Sequence, residues 1–329
     1  MELVVSPIDR TLNVKAGANL LEVLLEHAVP VSYSCMSGRC GTCRCKVLKG
    51  KVLESGGHES KTPIVDSDQF VLACQTVLTE DCTIEIPEPD EVVVHPARIA
   101  KAKVTEISDL THDVKQLRLQ LQKPLSYSPG QYVQLQFGPG MARPYSMAGL
   151  GIDGELEFHI RIVADGRLTQ YIAQHLQIGA SVRMTGPLGT AYLRRKHTGP
   201  MICIAGSTGL APVLAIVRGA LADGMRNPIH LYFGVRTDRD LYGEHWLQEL
   251  AAVHPNLKIH VVITSGKESP GRRTGLVTDA VAADWKDLRS ARSYVCGPPP
   301  MVEAATLLLK QRGLLREHIY ADAFYPTGT

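Results

Sequence analysis

Four cysteines near the start of the chain constrain its fold more than any other feature of the sequence. They are separated by four, two and thirty residues: Cys35, Cys40, Cys43 and Cys74. Four thiolates with this spacing hold a [2Fe–2S] cluster. One tight loop must then wrap the cluster, and Gly38 and Gly41 allow backbone N–H groups to turn towards its sulfurs. Structural zinc is the alternative, but zinc more often uses two short cysteine pairs.

Of the four other cysteines, three belong to no motif. Cys45, Cys82 and Cys203 are expected to be small buried thiols. The first seven residues show no basic segment followed by an apolar core, which predicts no secretion signal and a cytoplasmic location. Disulfides are not expected in that reducing compartment, so the clustered cysteines need another explanation.

Length and composition narrow the class of protein further. The 329 residues exceed what one hydrophobic core usually organises, so two or three domains are expected. No apolar run approaches the roughly 18 residues of a membrane span. Residues 1–92 carry fourteen acidic side chains against eight basic ones, whereas residues 93–329 carry 19 against 27. The basic residues are scattered and only 5% of residues are aromatic, so neither nucleic acid nor a membrane is an expected partner.

Residues 1–92 are predicted to form a compact mixed α/β unit. Its expected elements are a hairpin of strands over 2–5 and 11–14, a helix over 19–27, a strand pair over 45–48 and 51–53, and a last strand over 82–86. The prolines that follow place a linker at residues 87–97.

Two further domains are predicted. The expected fold class is therefore multidomain, with α/β and all-β domains. Residues 97–196 contain short strands separated by Pro/Gly turns and a helix over 168–175, which predicts a small antiparallel β-barrel. Residues 197–329 alternate apolar strands with helices, which predicts a parallel α/β layer. Its strands are expected over 201–205, 229–235, 259–264 and 293–296, and its helices over 211–222, 242–253, 276–283 and 301–311.

Two motifs in the predicted barrel suit a flavin dinucleotide. Arg143-Pro144-Tyr145-Ser146 offers an arginine for the pyrophosphate, a tyrosine to lie along the flavin and a serine hydroxyl for flavin N5. Gly166-Arg167-Leu168-Thr169 opens a helix, and the free N–H groups there favour a second phosphate. Two phosphate contacts indicate FAD rather than FMN.

The predicted parallel layer carries three candidate nucleotide motifs. Gly206-Ser207-Thr208-Gly209 lies between a strand and a helix, where glycines let the backbone approach a pyrophosphate, although plain strand-to-helix turns look similar. Cys296-Gly297-Pro298-Pro299-Pro300-Met301 is expected at the carboxyl end of the last parallel strand, an edge where such sheets bind ligands. A buried thiol before a rigid turn is the alternative there. Arg236-Thr237-Asp238-Arg239-Asp240 carries an acid for the ribose of NADH and arginines for NADPH.

Residues 1–90 resemble a plant-type, β-grasp ferredoxin. The resemblance lies in the loop Tyr33-Ser34-Cys35-Met36-Ser37-Gly38-Arg39-Cys40-Gly41-Thr42-Cys43 and in Leu72-Ala73-Cys74-Gln75. The rest of the chain resembles the ferredoxin–NADP reductase superfamily. As a whole, the chain is similar to the reductase components of multicomponent aromatic-ring dioxygenases of the naphthalene and carbazole type.

The resemblance implies roles for individual residues. The backbone of His159-Ile160-Arg161-Ile162 would line FAD, and Cys296 would lie beside the nicotinamide and the flavin. Phe324 would shield the flavin face, with Tyr325 as the alternative. The ribose loop resembles that of NADH-using relatives, so NADH is the expected donor and NADPH the alternative.

The expected reaction is hydride transfer from NADH to FAD between Ser146 and Cys296, followed by single-electron transfer through the cluster. By the same resemblance, the acceptor is a Rieske-type ferredoxin or the terminal oxygenase itself. Arg39, Arg44 and Lys46 are predicted to meet an acidic partner. The alternatives are a reductase for a monooxygenase or a deoxysugar dehydrase, a redox-sensing module that binds NADH without turnover, and a zinc scaffold without flavin.

Overall fold

The chain forms two compact units. The computed structural model describes residues 1–31, 33, 43–54, 62–64, 69–87, 95–265 and 271–324. The first unit comprises Met1–Arg98 with Gly186–Thr190, and the second comprises Ile99–Thr185 with Ala191–Thr329. Residues 88–94 of the predicted linker lie outside the described residues.

In its described residues, the first unit contains a five-stranded mixed sheet packed against one helix. Its elements are β1 (Glu2–Ser6), β2 (Arg10–Asn13), α1 (Leu20–Glu26), β3 (Arg44–Lys49), β4 (Val52–Glu54), β5 (Thr62–Ile64), β6 (Gln69–Leu72), β7 (Thr76–Leu78) and β8 (Cys82–Glu85). The strand order is β2-β1-β8-β3-β6, with β1 and β8 parallel. The Asn19 side chain caps α1, and Leu20 and Leu24 are fully buried on its apolar face. This arrangement is the β-grasp fold that was predicted.

Both strands predicted over 45–48 and 51–53 exist, but the prediction that they pair with each other was wrong. β3 pairs with β6 and β8, whereas β4 pairs with β5 and β7 in a separate sheet. Gly50, between β3 and β4, has a left-handed φ of 91°, and a Cβ there would overlap the backbone of Asp81. The chain therefore turns out of the first sheet at Gly50 instead of closing a hairpin.

The second unit begins with the predicted antiparallel barrel. Its elements are β9 (Arg98–Asp109), β10 (Val114–Leu121), β11 (Tyr132–Gly138), β12 (Met141–Ser146), β13 (Glu155–Arg161), α2 (Arg167–Gln174) and β14 (Ser181–Leu188). The strand order is β12-β11-β14-β9-β10-β13, and a bridge between Met147 and Phe158 brings the two ends of the sheet together. Leu156, Phe158 and Ile160 of β13 are fully buried in the barrel core, so the alternate residues of that strand face outwards.

The second unit continues with the predicted parallel layer. Its elements are β15 (Met201–Gly206), α3 (Leu210–Ala222), β16 (Ile229–Val235), α4 (Glu244–Val253), β17 (Leu257–Ile263), β18 (Arg272–Thr274), α5 (Val277–Asp284), β19 (Arg292–Gly297), α6 (Pro299–Gln311) and β20 (Ile319–Ala323). All six strands are parallel, in the order β18-β17-β16-β15-β19-β20. Among the described residues, no helix is both long and apolar enough to cross a membrane.

The two edge strands of this layer were not predicted. β18 has three residues, and β20 is only partly buried, so neither shows the continuous apolar run of a central strand. The prediction that Cys296 ends the last parallel strand was therefore wrong. Cys296 is the penultimate residue of β19, and β20 lies alongside this strand with Asp322 opposite Cys296.

Candidate functional site

Three polar side chains meet where the barrel approaches the carboxyl edge of the parallel layer. Ser146, at the end of β12, is 9% exposed, and its hydroxyl hydrogen-bonds the Asp322 carboxylate. Asp322 of β20 is the register neighbour of Cys296, and its backbone hydrogen-bonds the Cys296 sulfur. The two predicted catalytic residues are therefore linked through a carboxylate that sequence reasoning missed. The signal was weak: a single acid in an unpredicted edge strand, just before the C-terminal aromatic segment.

Burial sets the protonation states of Asp322 and Cys296. It raises the pKa of Asp322 to about 6, although the hydrogen bond from Ser146 opposes the shift. It also raises the pKa of the fully buried Cys296 well above the usual range of a thiol. At neutral pH Cys296 is therefore a neutral thiol, suited to packing against a ring rather than to nucleophilic attack.

The predicted flavin motifs fit a dinucleotide. Arg143 and Tyr145 are partly buried on β12, and burial raises the pKa of the Tyr145 phenol. Pro144 is exposed between them. The predicted helix after Gly166 exists: α2 begins at Arg167, one residue before the predicted start, with Gly166 as its N-cap and no side-chain cap hydrogen bond. Its first N–H groups are thus not taken by a capping side chain, which suits a phosphate at this helix end.

The remaining residues of the predicted barrel motifs have less direct roles in binding a cofactor. Leu168 is buried inside α2, and the Thr169 hydroxyl donates to the Gly166 carbonyl at 3.0 Å, which holds the helix start. Ile160 lies in the barrel core, and Ile162 packs at its margin. The side chains of His159 and Arg161 leave β13 on the opposite face, away from that core.

A cleft of about 290 Å³ opens at the carboxyl edge of the layer. Its lining includes six of the residues predicted to bind the nucleotide or flavin: Arg161, Gly206, Ser207, Arg236, Pro298 and Met301. It also includes Asp113, Asp240 and Leu276. Asp113 and Leu276 were missed because they stand outside any recognisable motif. Leu276 is 54% exposed and offers an apolar surface at the start of α5.

The other predicted nucleotide residues shape the floor of this edge. Gly209 ends the 3₁₀ turn that contains Thr208, and a Cβ on Gly209 would overlap the Cys296 carbonyl. Gly297 has a φ of 147° and lies against the Gly206 backbone. The two loops can therefore approach this closely only because both positions are glycine. The Phe324 N–H donates to the Gly297 carbonyl at 2.9 Å, and Tyr325 lies outside the described residues.

The charged loop after β16 brings one acid into the cleft. Asp240 accepts hydrogen bonds from the backbone N–H and the hydroxyl of Thr237, at 2.9 and 2.8 Å. Asp238 instead pairs with Arg272 at 2.6 Å and does not line the cleft. The loop therefore presents Asp240 and Arg236 together, one group suited to a ribose hydroxyl and one to a phosphate.

The described part of the cysteine motif fits a metal centre. Cys43 is buried, and its sulfur accepts the backbone N–H of Cys74 at 3.3 Å, so two predicted ligands lie together. A backbone N–H aimed at a ligand sulfur is typical support for an iron–sulfur site. Cys35 and Cys40 lie outside the described residues.

Three cysteines were predicted to be buried thiols rather than ligands. Cys45, Cys82 and Cys203 are at most 3% exposed, which confirms that they are buried. Burial raises the pKa of Cys82 to about 11 and that of Cys203 to about 12, and it raises the pKa of Cys45 as well. Such thiols stay protonated at neutral pH and behave as apolar packing groups.

Three protein-family models match the chain in succession. Residues 3–79 match the 2Fe-2S iron-sulfur cluster binding domain, residues 101–192 the oxidoreductase FAD-binding domain, and residues 203–306 the oxidoreductase NAD-binding domain. Together with the fold, they define the class of protein as an iron–sulfur flavoprotein reductase that uses NAD(P)H.

Two curated relatives align with the chain over its full length and over their own full length. One is 59% identical over 328 residues, the ferredoxin–NAD(P)+ reductase component of the naphthalene 1,2-dioxygenase/salicylate 5-hydroxylase systems of a Ralstonia species. The other is 56% identical over 328 residues, the corresponding component of the naphthalene 1,2-dioxygenase system of Pseudomonas putida. The chain belongs to this family of ferredoxin–NAD(P)+ reductase components, which confirms the predicted FAD, [2Fe–2S] and nicotinamide cofactors.

Solved structures agree with this fold over almost the whole chain. The Amycolatopsis cytochrome P450 reductase has a TM-score of 0.74 at 34% identity, and covers 99% of both chains. The ferredoxin reductase in carbazole 1,9a-dioxygenase has a TM-score of 0.67 at 28% identity, and covers 98% of both chains. The predicted combination of β-grasp, barrel and parallel layer is thereby confirmed.

Proposed function

We propose that this protein reduces a Rieske-type ferredoxin, or the terminal oxygenase directly, in an aromatic-ring dioxygenase system, with NADH as its preferred donor. The observation that carries the hydride-transfer part of the proposal is the convergence of Ser146, Asp322 and Cys296 beside the nucleotide cleft. Bound FAD supplies hydride acceptance and a [2Fe–2S] cluster supplies one-electron transfer. The protein's part is to hold the reactants and to keep one proton available at the site.

Ser146 and Asp322 form the proton-holding pair of this proposal. An ionised Asp322 carboxylate can only accept, so above its pKa of about 6 it takes the hydroxyl hydrogen of Ser146. Below that pKa, a protonated Asp322 can donate to Ser146, which leaves the serine hydrogen free for a flavin ring nitrogen. Cys296 contributes a neutral, buried surface beside this pair.

The remaining predicted residues divide among three cofactor sites. Arg143, Tyr145 and the open start of α2 would hold the flavin dinucleotide. The backbone at 159–162 would line it, and Phe324 would cover it. The nucleotide cleft would hold the pyrophosphate at Gly206–Gly209 and the ribose at Asp240. The cluster would be held by Cys35, Cys40, Cys43 and Cys74. We place the domain boundaries at 1–92, 97–196 and 197–329.

The choice of a dioxygenase system rests on a gap in sequence identity. The two naphthalene dioxygenase reductases are 56% and 59% identical to the chain. The reductase subunit of an Amycolatopsis aromatic O-demethylase is 35% identical, and the reductase component of a Mycolicibacterium smegmatis propane 2-monooxygenase is 30% identical. This gap favours a system of the naphthalene dioxygenase type over the O-demethylase and propane monooxygenase systems.

Anaerobic mixing of the holoprotein with NADH tests this function. The flavin absorbance should bleach within one mixing time, and an added Rieske-type ferredoxin should then be reduced steadily. NADPH should give a lower kcat/KM than NADH. Bleaching without onward reduction of any one-electron acceptor would contradict a reductase and favour the redox-sensing alternative. Preference for a monooxygenase hydroxylase over a Rieske partner would contradict the dioxygenase assignment.

A further inference from the structure

The outward face of β13 touches the nucleotide loop of the same unit. Glu157, His159 and Arg161 occupy alternate positions on this strand, so their side chains leave it on the face opposite the barrel core. Arg161 contacts Ser207 directly, with its guanidinium 3.4 Å from the serine hydroxyl oxygen and paired with Asp113 at 2.9 Å. Glu157 and His159 approach the same loop through Tyr242.

Glu157, His159 and Tyr242 form a hydrogen-bonded chain in which His159 and Tyr242 are buried and Glu157 is partly buried. Nε2 of His159 lies 3.0 Å from Glu157, and Nδ1 lies 3.1 Å from the Tyr242 hydroxyl. Burial opposes ionisation of Glu157, but hydrogen bonds from His159 and Gln116 and the charge of Arg218 lower its pKa to about 2. Burial lowers the pKa of His159, so its ring is neutral at neutral pH.

These protonation states fix which group donates and which accepts in each of these hydrogen bonds. A carboxylate only accepts, so Nε2 of His159 carries the ring hydrogen and donates it to Glu157. Nδ1 then accepts from the Tyr242 hydroxyl. That hydroxyl also lies 3.5 Å from the Ser207 carbonyl oxygen, so its hydrogen is shared between His159 and the nucleotide loop.

The Tyr242 ring cannot easily swing away from this position. It is 5% exposed and packs nearly edge-on against Phe233 and Trp246, with ring centroids 5.7 and 6.4 Å away. Its ring also meets His159 edge-on at 5.3 Å. Packing and hydrogen bonding therefore both keep the Tyr242 hydroxyl next to the nucleotide loop.

Ser207 is the residue in the loop that needs such support. Its φ of 52° lies in the left-handed region, which is disfavoured for a residue other than glycine and persists only where neighbours hold it. Its carbonyl accepts the N–H of Leu210 as well as the Tyr242 hydroxyl, and its side chain meets Arg161. Ser207 also lines the nucleotide cleft, so its conformation sets where the backbone meets a ligand.

We propose that Tyr242 is a positioning residue for the nicotinamide nucleotide, acting through the Ser207 carbonyl and anchored to the barrel by His159 and Glu157. The inference rests on the proposed function, since it requires the cleft to be the nucleotide site. Tyr242 would touch none of the reacting atoms. It holds the loop in the binding-competent conformation, so its loss weakens nucleotide binding rather than flavin binding.

Tyr242→Phe tests this role because it removes only the hydroxyl. The matched control is Tyr232→Phe, which removes another buried hydroxyl of the same layer, one bonded to Asp284 and Trp285 on a different face of the sheet. In FAD-loaded protein, calorimetric titration with NAD+ should give a Kd about five- to tenfold higher for Y242F, as expected for one lost hydrogen bond. Y232F should stay within about twofold of the wild type, and both variants should retain FAD.

Hydrogen exchange without nucleotide gives a second readout. Amides of residues 206–210 should exchange faster in Y242F than in the wild type and Y232F. An unchanged Kd or unchanged exchange in Y242F would overturn the proposal, as would equal changes in both variants. A wild-type protein that does not bind NAD+ would instead overturn the proposed nucleotide site, while the exchange rates would still decide whether Tyr242 holds the loop.

Discussion

Ser146 and Asp322 hydrogen-bond each other although one ends a barrel strand and the other lies in the edge strand of the parallel layer. The bond joins the predicted flavin motif to the strand beside Cys296. Because one partner titrates at about pH 6, the hydrogen-bonding state of Ser146 depends on pH. The site therefore couples proton position to the place where the two cofactors are expected to meet.

Ser146→Ala should slow reduction of the bound flavin by NADH about ten- to a hundredfold, because a positioned hydrogen-bonding group is lost from the reacting centre. Stopped-flow bleaching of the flavin measures this rate. Ser293→Ala is the control, since Ser293 is a buried serine of β19 in the parallel layer, where it donates to the Ile202 carbonyl. FAD content should be unchanged in both. A flavin reduction rate within twofold of the wild type in S146A would refute the role.

Asp322→Asn should change how stability depends on pH. The pKa of Asp322 is raised from 3.8 to about 6 in the folded protein, so the folded state binds more protons between these values. The free energy of unfolding contributed by this group therefore falls as pH rises from about 4 to about 6, and then levels off. The whole effect is at most about 3 kcal/mol.

Urea unfolding of the FAD-loaded wild type and D322N, between pH 4.5 and 7.5, measures this difference. Relative to D322N, the wild type should lose stability as pH rises towards 6 and should change little above pH 7. A stability difference between the two proteins that is the same at every pH would show that Asp322 does not titrate in this range.

Patterns that depend on local chain chemistry were predictable from the sequence. The spacing of the cysteines, the apolar central strands and the helix start at Gly166 each reflect neighbours in the chain, and these predictions were confirmed. Edge strand β20 was not predictable, because it is only partly buried and lacks an apolar run. Asp322 was missed with it, since its importance comes from Ser146, a residue distant in sequence. Tyr242 was assigned to the start of a helix, whereas α4 begins two residues later at Glu244.

Cys74→Ser should abolish the visible absorbance and the electron paramagnetic resonance signal of the iron–sulfur cluster while leaving FAD bound, because one thiolate ligand is lost. Cys45→Ser is the matched control. Cys45 lies two residues from Cys43, but it is 1% exposed and its thiol contacts the Cys43 carbonyl. Full iron content in C74S, or loss of iron in C45S with its fold intact, would contradict the ligand assignment.

Asp240→Ala should raise kcat/KM for NADPH relative to NADH by about tenfold, because it removes a carboxylate that would repel a 2′-phosphate. Arg236 remains in the cleft of this variant. Asp238→Ala changes the charge of the same loop equally, but Asp238 is bound to Arg272 outside the cleft lining. The steady-state ratio of the two kcat/KM values is the measurement. An equal change in both variants would indicate a general charge effect rather than contact with the ribose.

Arg44→Glu should slow electron transfer to a Rieske-type partner about five- to tenfold at low salt, because Arg44 follows the predicted ligand Cys43 and is exposed at the start of β3. Its guanidinium lies 3.9 Å above the Phe70 ring, so the charge is held in one place. Lys49→Glu makes the same charge change at the other end of this strand and is the control. Since salt of about 0.5 M screens exposed charges within a few ångströms, the defect of R44E should shrink there.

Equal slowing at both salt concentrations, or in K49E, would argue against docking through Arg44. Reduction of ferricyanide by the flavin should stay normal in both variants, since that reaction does not use the docking face.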